Sequence, residues 1–101
     1  MRLVWTTSAK QDLGEIVTYI WYDSPSAAKR IRERVEKTTR YLRSQPYMGR
    51  VGELPDTREA FVPPSYRIVY RISDGTVSIL RVLHTSRQWP PGPDAPADES
   101  S

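Results

Sequence analysis

Cysteine is absent from the 101 residues, which excludes disulfides, thiolate nucleophiles and Cys-ligated zinc, and removes any argument for an oxidising compartment. Histidine occurs once, at His84, so no metal site can be assembled from several imidazoles, and none is expected. Glycine is sparse. The one glycine-bearing loop worth testing, Gly49-Arg50-Val51-Gly52, follows a helical pattern and lacks the lysine and spacing of a phosphate cradle, which disfavours nucleotide binding. No run approaches the roughly 18 apolar residues of a membrane span, and the start MRLVWTTSAK lacks the apolar stretch of a signal peptide. The expectation is a soluble, cytoplasmic protein that uses no cofactor and no membrane.

What the chain does have is arginine. Twelve of its 15 positive residues are arginine, the net charge is +3 and the pI is near 9.4. Guanidinium forks suit carboxylate or phosphate better than a point charge does, so an acidic partner, nucleic acid or protein, is expected. At 11.6 kDa the chain has room for one core of two packed layers. Residues 1–90 read as one domain, and 91–101, rich in Pro, Asp and Ser, read as a disordered tail.

Periodicity places the elements. Arg2 to Trp5 reads as a short first strand. Ala9, Leu13, Ile16, Val17 and Ile20 fall on one helical stripe, with Thr7 or Ser8 as N-cap, giving a helix to about Tyr22. Gly14 lies off that stripe. Ser24-Pro25 opens a second helix, to about Ser44, with Ala28, Ile31, Val35, Thr38 and Leu42 inward. Its other face carries Lys29, Arg30, Arg32, Arg34, Lys37, Arg40 and Arg43 against Glu33 and Glu36; seven positives less two negatives leave +5. Gln45 to Asp56 reads as a loop, and Thr57 to Val62 as a strand stopped by Pro63-Pro64.

From Ser65 to His84 two alternating runs flank Asp74-Gly75, the signature of a hairpin with a two-residue type I′ turn. Counting outward from that turn pairs Ser73 with Thr76, Tyr70 with Ile79, Arg67 with Val82 and Ser65 with His84. One face then holds Tyr66, Ile68, Tyr70, Ile72, Val77, Ile79, Arg81 and Leu83; the other holds Arg67, Val69, Arg71, Ser78, Leu80, Val82 and His84. The order predicts an α+β fold: an N-terminal strand and a helical hairpin packed on a largely antiparallel sheet of three to four strands. Arg81, on the apolar face, calls for a carboxylate partner.

A His84-Ser65-Asp74 triad fails, because Asp74 lies in the turn at the far end of the strands. What remains is the charged hairpin face. There His84 sits diagonal to Arg67, with Arg87 just beyond. An imidazole between guanidiniums stays neutral at pH 7 and can act as a base, while the arginines hold phosphate, the minimum for a metal-free ribonuclease.

These residues together carry a resemblance. Ala9-Lys10-Gln11-Asp12-Leu13 with Tyr19-Ile20, Pro25 with Ala27-Ala28, Thr57-Arg58-Glu59, Tyr66-Arg67-Ile68-Val69-Tyr70 and Ile79 to His84 ending at Trp89-Pro90 resemble the RelE/ParE superfamily of type II toxins, most closely its ParE-like branch. The resemblance implies the same fold, and a toxin neutralised by a cognate ParD-like antitoxin, with operator DNA contacted only through that antitoxin. ParE-like members poison DNA gyrase and RelE-like members cleave mRNA in the ribosome. Where the nucleases place catalytic lysines, this chain has Glu59 and Phe61, which favours gyrase inhibition by binding, with no catalytic residues expected. Target contacts are then expected at Arg67, His84, Arg87 and Trp89, and antitoxin contacts at Arg30, Arg34, Arg58, Arg71 and Arg81. The alternatives are a ribosome-dependent endoribonuclease using Arg67, His84 and Arg87, and a non-toxic protein that retains antitoxin binding and autoregulation.

Overall fold

Two sequence signals recur in the computed structural model at their expected places. Asp74 and Gly75 both take positive φ, 52° and 70°, the backbone that a type I′ turn demands. Ser24 sits in extended conformation ahead of Pro25, and its Oγ accepts the Ala27 N–H at 3.2 Å, satisfying one of the donors a helix start leaves open. The structure describes residues 1–91, so the tail expected from 91 to 101 lies, but for its first residue, outside the described residues.

The elements are β1 (Arg2–Trp5), α1 (Thr7–Asp23), α2 (Pro25–Ser44), β2 (Arg50–Val51), β3 (Thr57–Val62), β4 (Tyr66–Ser73) and β5 (Thr76–His84). They form a five-stranded sheet in the order β1-β5-β4-β3-β2, antiparallel except for the β1–β5 pair. The helical hairpin covers one face. Ala9, Val35, Leu42, Ile68, Tyr70, Val77 and Ile79 fill the space between the layers, and removing a side chain such as Ile68 or Ile79 there should cost about 2–5 kcal/mol. No helix among the described residues is long and apolar enough to cross a membrane.

Four details correct the sequence reading. The α1 N-cap is Thr6, whose Oγ1 accepts the Ala9 N–H and donates to the Ile79 carbonyl; it ties the strand-to-helix turn to β5, a contact invisible to local patterning. Thr39, not Thr38, is buried on α2, with its hydroxyl returned to the Glu36 carbonyl. The loop after α2 contains the two-residue strand β2, which raises the strand count to five.

The register expected from the turn holds as far as Tyr70 opposite Ile79, but Val69 then faces Arg81, leaving Leu80 as an extra residue. This β-bulge shifts every later pair by one and reverses which face each β5 residue serves. Arg67 is opposite Leu83 rather than Val82, and His84 is opposite Tyr66 rather than Ser65. Val82 therefore joins Ile68 in the core, while Arg81 and Leu83 leave the helix-facing side.

Candidate functional site

The sheet face away from the helices carries Glu59 and Phe61 from β3, Arg67, Val69 and Arg71 from β4, and Arg50 from β2. Phe61 stands 57 % exposed there. Glu59 is its electrostatic centre. One carboxylate oxygen accepts from Arg67 Nη1 at 2.6 Å and from Arg50 Nη2 at 2.9 Å. Burial raises the Glu59 pKa, but the hydrogen bonds and charges of Arg50 and Arg67 outweigh it, leaving the group below its ordinary value. Arg50 reaches in from solvent with its side chain 75 % exposed, whereas that of Arg67 is only 12 % exposed. Shallow grooves of about 480 and 450 Å³ flank this cluster, one rimmed by Met48 and Phe61, the other by Arg87 and Trp89.

The loop that delivers Arg50 is held by Tyr70. Its hydroxyl donates to the Pro46 carbonyl at 2.7 Å and accepts the Gly49 N–H at 3.1 Å, and burial raises its pKa. Gly49 passes so close that a Cβ would lie 2.6 Å from the Tyr70 hydroxyl and 2.7 Å from the Glu59 carbonyl oxygen, so only glycine fits. Arg58 Nη1 donates to the Gly49 carbonyl at 2.8 Å and the Tyr47 carbonyl at 3.2 Å, with its guanidinium 5.0 Å from the Tyr47 ring.

His84 lies elsewhere. The bulge turns it to the helix side, where its ring meets Tyr66 edge to face at 5.5 Å. A third groove of about 210 Å³ there is lined by Ile16, Tyr19, Tyr66 and His84. Nδ1 accepts the Ser86 N–H at 3.1 Å and lies 2.8 Å from the Ser86 hydroxyl. These contacts occupy Nδ1. The expected flanking of His84 by Arg67 is therefore absent, because the two occupy opposite faces. Arg87 lies between, lining the grooves on both sides, and its carbonyl accepts from Arg67 Nη2.

Arg81 finds its carboxylate in Asp12 of α1. Nε donates to Oδ2 at 2.7 Å and Nη2 to Oδ1 at 3.0 Å, while Oδ2 also accepts the Val82 N–H at 3.0 Å. The reason is local. β1 ends at Trp5 opposite Ile79, so beyond the bulge β5 has lost its neighbour and α1 supplies the acceptor. The Arg81 guanidinium lies 5.2 Å from the Trp89 ring. Arg30 and Arg34 are exposed on α2, with Arg34 donating to the Pro63 carbonyl at 3.3 Å, and Arg71 is half-buried on β4. Asp12 and Glu59 are the residues whose roles sequence reasoning missed. The unanswered charge of Arg81 was a usable signal for the first; nothing local marked the second. Among the described residues no three His, Cys, Asp or Glu side chains gather as a metal would require.

Comparison with known proteins matches residues 3–89 to the family described as ParE toxin of type II toxin-antitoxin system, parDE. This chain belongs to the ParE toxin family. The Sinorhizobium fredii protein Y4kP is 42 % identical over 92 residues, covering 88 % of this chain and 93 % of that one. Toxin RelE2 of Caulobacter vibrioides is 38 % identical over 86 residues, 85 % of this chain and 97 % of the relative. Among solved structures, the chromosomal ParDE system from P. aeruginosa shares the fold with a TM-score of 0.75 at 23 % identity, covering 85 % of this toxin and 97 % of that chain. The protein is thus a toxin of a type II toxin–antitoxin system with the RelE/ParE fold, and its family implies a cognate antitoxin.

Proposed function

We propose that this toxin acts by binding rather than by cutting RNA: it inhibits DNA gyrase in the cytoplasm and is neutralised by a ParD-like antitoxin. The observation that carries the reading is the separation of the nuclease parts. Arg67 has its Nη1 held by Glu59 and its Nη2 by the Arg87 carbonyl, and His84 stands on the other face with Nδ1 occupied. A ribonuclease needs a base, an acid and a free cation around one phosphate. A carboxylate held by two guanidiniums is a weak base, and it occupies the Arg67 Nη1 donor that a phosphate would need.

Binding makes no such demand. Arg87, Trp89 and His84 remain at the edge of the sheet as candidate target contacts. The antitoxin, expected to be acidic and amphipathic, finds its unanswered charge on α2 at Arg30 and Arg34, since Arg58 and Arg81 already hold partners within the toxin. Purified toxin in a gyrase supercoiling assay is expected to trap cleaved DNA; intact supercoiling at excess toxin rejects the reading. The likeness to Toxin RelE2 favours a ribosome-dependent endoribonuclease as the second reading, for which codon-linked cuts in mRNA by primer extension would be decisive.

A further inference from the structure

We infer that Asp12 and Glu59 are positioning residues for the C-terminal segment: Asp12 orients Arg81 and Glu59 orients Arg67, and these two arginines clamp residues 85–90 onto the sheet. After β5 the chain has little to hold it. Its backbone is tied by Thr85 N–H to the Ser65 carbonyl at 2.7 Å and by Arg87 N–H to the His84 carbonyl at 2.9 Å. Beyond that the attachment runs through side chains of the sheet, Arg67 to the Arg87 carbonyl and Arg81 against the Trp89 ring.

A free arginine is a poor clamp, because ordering its side chain costs about 2 kcal/mol of rotamer entropy. Here that ordering is done from behind. Asp12 takes Arg81 with both oxygens and is itself fixed by the Val82 N–H. Glu59 takes Arg67 at 2.6 Å. The carboxylates come from α1 and β3, on either side of the β4–β5 pair, so the segment is held along both edges. The hold is incomplete: Trp89 Nε1 and Arg67 Nε are buried without a hydrogen-bond partner. Each such donor costs about 1–3 kcal/mol, which makes this segment the first part of the domain expected to open.

The clamp stands on its own geometry; its consequence for toxicity rests on the gyrase reading. The test uses full-length toxin in which Trp5 and Trp21 are replaced by Phe, leaving Trp89 as the fluorophore. Asp12→Asn and Glu59→Gln are each expected to raise acrylamide quenching of Trp89 by roughly twofold or more, while circular dichroism and cooperative unfolding persist. The same variants should lose gyrase inhibition roughly tenfold, the effect of about 1.4 kcal/mol, and Asp12→Glu should restore part of both. Unchanged quenching in a folded Asp12→Asn variant overturns the clamp. If Asp12→Asn does not fold, Arg81→Lys, which keeps charge but loses the fork, must raise quenching or the inference falls. Wild-type toxin that leaves gyrase untouched overturns the target while the quenching result still decides the clamp.

Discussion

The cations of α2 and the arginines of the sheet are the same chemistry put to opposite use. On α2 seven positive side chains face solvent, and the ion pair there, Arg32 with Glu36, is loose at 3.9 Å with both partners more than 40 % exposed. On the sheet, Arg67 and Arg81 are nearly enclosed and each meets a carboxylate at 2.6–2.7 Å. Sequence composition cannot separate these populations. The difference is that the α2 cations stay solvated beside exposed carboxylates, whereas Arg67 and Arg81 each close on an enclosed one and serve the toxin's own architecture.

That contrast can be broken. Glu59→Ala leaves Arg67 enclosed without its counter-ion and should cost about 3–5 kcal/mol of stability, read by urea denaturation; a loss below 1 kcal/mol would put the sheet arginines in the same class as those of α2. Gly49→Ala drives a Cβ into the Glu59 backbone and should cost about 1–3 kcal/mol, disturbing the loop that brings Arg50 to Glu59; a variant as stable as wild type would show that the loop yields.

The acid limb gives a sharper reading. Glu59 sits below its ordinary value of 4.5 when folded, so around that pH the unfolded chain binds the extra proton. Its contribution is fully present above the unfolded value and is lost as pH falls through the lower folded value. Stability measured from pH 6 down to pH 2 should fall less steeply in Glu59→Gln than in wild type; identical slopes would assign the acid sensitivity elsewhere. The smallest effect belongs to α2, where Glu36→Gln should change stability by less than about 0.5 kcal/mol. A cost matching that of Glu59 would erase the distinction between the two arginine populations.

Much of the fold was legible because its signals are local. The stripes of α1 and α2, the Ser24-Pro25 cap and the Asp74-Gly75 turn each state one backbone choice within a few residues, and the structure agrees with them. β2 escaped because two residues carry no periodicity, and its pairing to β3 depends on Gly49 and the Tyr70 hydroxyl, 21 residues apart. Of the site, the position of Arg67 on the charged face of the hairpin was foreseen, whereas the place of His84 was not.

The sequence by itself determined every element but β2, their layering and the hairpin register near the turn, since these follow from hydrophobic period and from φ values that few residues tolerate. The tertiary structure alone decided which arginines are free. Leu80 is an ordinary strand residue, and nothing near it announces a bulge. β5 must pair with β1 for four residues and with β4 along its length, while α1 takes over where β1 stops. One inserted residue meets that demand. Because side chains alternate across a strand, it also sends His84 to the helix side and turns Arg81 to the open face, where it meets the Trp89 ring while Asp12 holds it from the strand edge.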